Sequence, residues 1–111
     1  QFNYKYLLYE IVEWKPTGIC VEVDGTNSYA LFYPYINANA SSNDVVIRLP
    51  VATGIGIPGK EFTVKKIDAS VNTVTVSGSG GNLIDGQSSY TLNNQYEAAK
   101  FVACGDNWFV Y

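Results

Sequence analysis

Short segments of alternating apolar and polar residues, separated by turn-forming residues about every ten positions, run through most of the sequence. In residues 45–49, the side chains of Val45, Ile47 and Leu49 lie on one face of a strand, and residues 73–76 repeat the alternation. Asp24-Gly25 and Asp85-Gly86 mark turns, because aspartate and glycine tolerate a positive φ. This succession of short strands and turns predicts an all-β domain in which helix makes up less than about 15% of the chain.

The expected architecture is a small β-sandwich or barrel-like domain of about six to nine short antiparallel strands. Residues 19–23 and 29–33 are predicted to pair as a hairpin, and residues 99–104 and 108–111 are predicted to form a closing hairpin. We find no internal repeat strong enough to indicate a solenoid. Period-2 alternation predicts that the second half contributes these core residues: Val45, Ile47, Leu49, Phe62, Val64, Val74, Val76, Leu92, Phe101 and Trp108.

Residues 2–14 are apolar on both faces of a strand, although Tyr4, Leu7 and Leu8 also fit helical spacing. A strand is favoured because tyrosine and β-branched residues dominate. A two-faced strand needs cover on both sides, and a chain of 111 residues has little material to spare. A neighbouring subunit would provide the second cover, which predicts a homo-oligomer.

Length and charge set further limits. At 111 residues and 12.2 kDa, residues 1–111 are predicted to form one domain. The net charge is −3 with seven basic residues, which argues against a nucleic-acid partner. No apolar run approaches the length of a membrane-spanning helix, and no signal peptide is visible, so membrane insertion is not expected. The absence of methionine predicts that the chain begins inside a longer polypeptide or after processing.

Two cysteines, Cys20 and Cys104, and no histidine are present, so a usual zinc ligand set cannot be assembled. We expect two buried thiols that behave as small hydrophobic residues and are not bonded, although spacing alone leaves a disulfide open. No metal or other cofactor is predicted.

The sequence contains only weak matches to motifs of catalytic or nucleotide-binding sites. Residues 54–59 spell a dinucleotide fingerprint, but Pro58 interrupts the loop and no helix follows to hold a pyrophosphate. Without histidine there is no Ser-His or Cys-His pair. A pair of carboxylates for glycoside hydrolysis is disfavoured because the aspartates lie in predicted turns, although Glu10 and Glu13 could face a groove between subunits. The turn aspartates are Asp24, Asp68, Asp85 and Asp106. The sequence therefore predicts a protein that is not an enzyme.

The second half carries a series of short motifs in a fixed order, namely Leu49-Pro50, Pro58-Gly59-Lys60, residues 62–66, residues 72–76, Ile84-Asp85-Gly86, residues 89–92 and residues 105–108. In this order and spacing, residues 45–111 resemble a module that recurs in phage tail fibres, tailspikes and related virion proteins. The resemblance implies a structural or host-recognition role in a trimeric fibre, outside the cell on the virion. It brings no catalytic residues, and residues 1–44 depart from the pattern.

The small polar loop around residues 37–44 is the clearest loop in the chain and the candidate receptor surface. Its candidate binding residues are Asn37, Asn39, Ser41, Ser42 and Asn43. The partners expected are further copies of the chain and a host-surface glycan or protein. Two other functions stay open: a monomeric carbohydrate-binding module with exposed tyrosine and tryptophan as stacking platforms, and a glycan-cleaving tailspike fragment. Oligomeric state separates the first of these from the fibre module.

Overall fold

The computed structural model describes residues 14–17, 19–25, 28–29, 33–54 and 60–111, and these residues form ten strands and no helix. The predicted strand of residues 2–14 lies outside them except for Trp14, and the dinucleotide-like motif of residues 54–59 lies outside them except for Gly54. The strands are β1 Trp14–Thr17, β2 Cys20–Val23, β3 Ser28–Tyr29, β4 Tyr35–Ala38, β5 Val45–Arg48, β6 Glu61–Lys66, β7 Val74–Ser77, β8 Ser89–Leu92, β9 Ala98–Cys104 and β10 Asn107–Val110. The all-β prediction is confirmed.

The strands form two sheets that enclose one core, as in a small β-sandwich. One sheet has six strands in the order β1-β2-β4-β6-β9-β10, and the other has four in the order β3-β5-β7-β8. From β2 to β7 the chain passes from one sheet to the other with every strand, and β2, β4 and β6 are parallel, as are β3, β5 and β7. This part of the chain is therefore a coil of three stacked turns, each made of one strand from either sheet.

The coil corrects two predictions. The strands were expected to be antiparallel, whereas the pairs within the coil are parallel. The hairpin of residues 19–23 and 29–33 was also wrong, because β2 and β3 belong to different sheets. Period-2 alternation sets which side chains face the core but not which strand lies alongside, and Asp24-Gly25 turns the chain around a corner between sheets instead of reversing it.

The coil gives no sequence repeat because its turns differ in length. Val21 lies beside Ile36, and Ile36 lies beside Val64, so the second turn is much longer than the first. Solenoids that are recognised from sequence keep a fixed period. Because the turns of this coil differ in length, they stack without leaving a detectable repeat in the sequence.

Antiparallel strands complete the two sheets after the coil. β8 pairs with β7, and β9 pairs with β6 and with β10. The predicted closing hairpin is confirmed: Cys104 pairs with Asn107 across a turn in which Gly105 has a φ of 61°. Asp85 and Gly86 have φ values of 48° and 78° between two reciprocal Ile84–Gln87 hydrogen bonds, the geometry of a type I′ turn.

The same turn covers the outer edge of β10. The amide of Asp85 donates to the Trp108 carbonyl at 3.1 Å, and the Trp108 amide donates to the Leu83 carbonyl at 2.9 Å. The Asp85 carboxylate accepts from the Val110 amide at 3.1 Å. Because an uncovered edge strand offers a template for pairing with another chain, this cap limits unspecific association at β10.

All ten core residues predicted from the second half are buried. Trp108 is fully buried. Its ring centroid is 5.8 Å from that of Phe62, and its Nε1 donates to the Pro50 carbonyl at 3.2 Å. The buried core also contains residues that were not predicted, namely Val21, Val23, Ile36, Ala38, Ala40, Ala52, Ile84, Ala99 and Ala103.

Candidate functional site

The predicted receptor loop forms the corner between β4 and β5, and only part of it is exposed. Ser41, Ser42 and Asn43 are exposed, as predicted for a contact surface. Asn37 is half-buried within β4. Asn39 is also half-buried, because its amide donates to the Glu22 carboxylate at 3.2 Å and its side-chain oxygen accepts from the Ser41 amide at 3.0 Å. Asn39 therefore holds the loop through its own hydrogen bonds, whereas Asn37 belongs to the strand before it.

A buried lysine lies beneath this corner. The register of the six-stranded sheet places Val23, Ala38 and Lys66 side by side on the core face of β2, β4 and β6. In the first two turns of the coil the position is apolar, but in the third it carries an ammonium group with no solvent exposure. Such a group is stable inside a protein only when it is paired and hydrogen-bonded.

The structure satisfies the ammonium group of Lys66 completely. Its Nζ donates to the Asp68 carboxylate at 2.7 Å, to the Asp68 carbonyl at 3.0 Å and to the Ser70 carbonyl at 3.1 Å. A lysine ammonium has three N–H bonds, and each of them has an acceptor here. No N–H of Lys66 is left for a ligand.

The Asp68 carboxylate joins this lysine to the neighbouring corner. One of its oxygens accepts from the Ala40 amide at 2.7 Å, and the other accepts from the amide of Ser70 at 3.1 Å and from its hydroxyl. Asn72 then donates through its side chain to the Ala40 carbonyl at 2.8 Å. We call this set, Lys66, Asp68, Ser70 and Asn72 with the main chain of Ala40, the corner cluster. It ties the β4–β5 corner to the β6–β7 corner.

Burial of Asp68 by itself would raise the pKa of its carboxyl. The hydrogen bonds from Lys66, Ser70 and the Ala40 amide outweigh burial and hold the pKa well below its ordinary value of 3.8. The carboxylate is therefore ionised wherever the protein is folded near neutral pH. It acts as a fixed acceptor rather than as a proton donor.

The lowered pKa of Asp68 makes stability depend on pH in acid. A carboxyl whose folded pKa is depressed stabilises the fold above its unfolded pKa, and this contribution is lost as the pH falls below 3.8 towards the folded pKa. We expect the urea midpoint of the parent to drop more steeply below about pH 4 than that of the Asp68→Asn variant. Equal slopes for both proteins over this range would show that Asp68 does not carry the effect.

A second candidate surface is the side of the six-stranded sheet that faces away from the core, here called the outer face. Its central row runs across the strands through Cys20, Tyr35, Thr63, Lys100 and Tyr111. The next row contains Glu61, Val102 and Phe109.

Large apolar side chains project from this face. Tyr35, Phe109 and Tyr111 are 46%, 41% and 73% exposed. Between them the Lys100 ammonium lies 3.9 Å from the Glu61 carboxylate, an exposed pair that contributes little to stability. The outer face thus combines aromatic rings at two sides with polar groups between them.

The cysteines also lie on the outer face, which corrects the prediction of two buried thiols. Cys20 is half-buried and Cys104 is exposed, since both alternate with core residues on their strands. The thiols are free. β4 and β6 separate β2 from β9, so three strand spacings of about 4.8 Å place the two residues too far apart for a disulfide.

The remaining candidate catalytic groups are not assembled in the described part of the chain. Asp68 belongs to the corner cluster and Asp85 to the β10 edge cap. Glu10 and Glu13 lie outside the described residues. Within residues 14–17, 19–25, 28–29, 33–54 and 60–111, no three His, Cys, Asp or Glu side chains form a group that could hold a metal ion. The same residues contain no helix of the length and apolarity needed to cross a membrane.

The sequence matches no protein-family model and no curated protein. What the described residues offer is a rigid corner and a sheet face that carries aromatic side chains.

Proposed function

We propose that this chain is a non-catalytic module of a phage tail fibre or tailspike, which assembles with copies of itself and presents a receptor-binding surface to the host cell. The copies form a trimer, and the module works outside the cell on the virion. The phage assignment and the three-fold symmetry both come from the resemblance of residues 45–111, which include β5 to β10 and much of the core.

The observation that carries the non-catalytic part is the corner cluster. Its lysine and aspartate are the charged side chains that the described fold buries, and their hydrogen bonds go to groups of the chain itself. A general acid or base needs a proton or a lone pair that is free to form a hydrogen bond with the substrate. Here the buried charges hold two loops in place, which is the work of a scaffold.

Rigid display supports the receptor-binding part. Binding residues commonly lie on loops that a firm framework positions. The exposed loop residues Ser41, Ser42 and Asn43 follow directly after Ala40 of the corner cluster. The outer face is carried by β4, β6 and β9, which are each paired on both sides, and by β10, whose outer edge the Asp85 turn covers. Both surfaces are held in one arrangement before a partner arrives, which lowers the entropy lost on binding.

The second candidate is a monomeric carbohydrate-binding module. The exposed tyrosines of the outer face favour it, whereas Trp108 is buried and offers no stacking surface. A monomer would have to bind through one copy of the surface, while a trimer gains from three weak contacts at once.

Attachment to bacterial cells tests the proposal. The labelled chain, mixed with a panel of Gram-negative and Gram-positive isolates and sedimented with the cells, is expected to bind a subset of strains saturably and to release no soluble sugar from them. If the chain attaches saturably to none of the strains, a receptor-binding role is contradicted. Release of oligosaccharides from the bound cells would contradict the non-catalytic assignment and favour the glycan-cleaving fragment.

A further inference from the structure

We propose that the outer face of the six-stranded sheet is a glycan-binding platform, on which a chain of pyranose sugars lies across β4, β6, β9 and β10. This inference rests on the proposed receptor-binding function and assigns to it a surface and a ligand class. The sequence had pointed instead to the loop of residues 37–44.

The ends of the platform suit sugar rings. A pyranose has an apolar C–H face and a polar rim, so it stacks on an exposed aromatic ring while its hydroxyl groups stay solvated. Tyr35 provides such a ring on β4, and Phe109 and Tyr111 provide two more at β10. Aromatic side chains supply this contact area at a low cost in conformational entropy.

The centre of the platform suits hydroxyl groups. In the row between Tyr35 and Tyr111 stand Thr63 and Lys100, and Glu61 lies within 3.9 Å of the lysine. Together these three side chains offer hydroxyl and ammonium donors and carboxylate and hydroxyl acceptors. The Lys100–Glu61 pair is exposed, with 46% and 57% of the side chains accessible, so both groups can exchange water for a ligand.

The same centre disfavours a protein partner. The cores of protein interfaces are depleted in lysine and glutamate, because burying such charges costs desolvation energy. A flat protein surface laid over Tyr35 and Tyr111 would cover Lys100 and Glu61 between them. Sugar hydroxyl groups can instead replace the water molecules that these charged groups give up.

The spacing sets the length of the ligand. From β4 to β10 there are three strand intervals, which place Tyr35 about 14 Å from the β10 aromatics. One sugar ring cannot reach both ends. The ligand is therefore an oligosaccharide segment or a polysaccharide, and single sugars should bind weakly.

Affinity electrophoresis in native gels tests this platform. The probes are a neutral glucan, the uronic acid polymer alginate and a soluble chitooligosaccharide mixture, each cast into the gel. We expect at least one probe to retard the parent chain. Tyr35→Ala or Tyr111→Ala is expected to weaken the affinity for that probe about tenfold, which is seen as a smaller retardation. Val71→Ala is the matched control, because Val71 is 96% exposed in the β6–β7 corner and away from the platform. Thermal melting checks that all variants are folded.

Two results would overturn the inference: no retardation of the parent by any of the three probes, or equal retardation of both tyrosine variants and the Val71→Ala control. Either result, together with saturable attachment of the parent to bacterial cells, would leave the proposed function standing and move the receptor contact elsewhere. Loss of attachment as well would remove both.

Discussion

Replacing Asp68 with alanine is expected to lower the free energy of unfolding by about 3–5 kcal/mol, because the ammonium group of Lys66 then stays buried without its counter-charge. Small domains have total stabilities of about 5–15 kcal/mol, so this loss is a large share. The variant also frees the Ala40 amide, which donates to the carboxylate at 2.7 Å in the parent. Urea unfolding followed by circular dichroism measures the change.

Two further variants separate the ion pair from general damage. In Lys66→Met combined with Asp68→Ala, both charges are removed, and we expect the double variant to be more stable than Asp68→Ala alone. Lys65→Met is the matched control, since Lys65 is exposed and lies on the opposite face of the same strand. If Asp68→Ala unfolds at the same urea concentration as the parent, the corner cluster does not stabilise the fold.

Val74→Asp is expected to abolish folding at 25 °C. Val74 is fully buried in the four-stranded sheet between Val45 and Leu92, so an aspartate there would be an isolated charge inside the core. The adjacent Thr75→Asp is the control, because Thr75 is half-buried and alternates to the other face. Loss of the cooperative melting transition in Val74→Asp, with a near-parental transition in Thr75→Asp, is the predicted result. A parental melt for Val74→Asp would show that the sheet faces are assigned wrongly.

Strand faces were predictable from the sequence, and so was the closing hairpin of β9 and β10, whereas the strand partners within the coil were not. Residues 45–49 and 73–76 alternate, so their inward side chains follow from the pleat alone. The same alternation fits a parallel or an antiparallel neighbour, and the choice depends on whether the connecting segment reverses the chain or carries it to the other sheet. At Asp24-Gly25 the turn residues fit both outcomes.

The corner cluster was missed although a signal for it exists. Lys65 and Lys66 are adjacent in the sequence, and adjacency alone does not tell which of them is buried. Yet Phe62, Val64 and Lys66 alternate onto one face, which places Lys66 in the core, and Asp68 follows two residues later as its partner. The Ala40 contact could not be anticipated, since it depends on parallel stacking of two corners that are far apart in the sequence.

The candidate loop was predicted in part. Ser41, Ser42 and Asn43 are exposed, because a run of small polar residues has no apolar side chain to bury. Asn39 is half-buried instead, because its side-chain amide donates to the Glu22 carboxylate on the preceding turn of the coil. The outer-face platform was not predictable, since it joins side chains from β4, β6, β9 and β10 across the sheet.

Native mass spectrometry at micromolar concentration distinguishes a trimer from a monomer or a dimer of this chain. A trimer would give a mass three times the 12.2 kDa of the chain. We expect this species to be the main one and to dissociate on dilution. A chain that stays at 12.2 kDa would contradict assembly and favour the monomeric carbohydrate-binding module. A stable dimer would contradict the three-fold symmetry of a fibre.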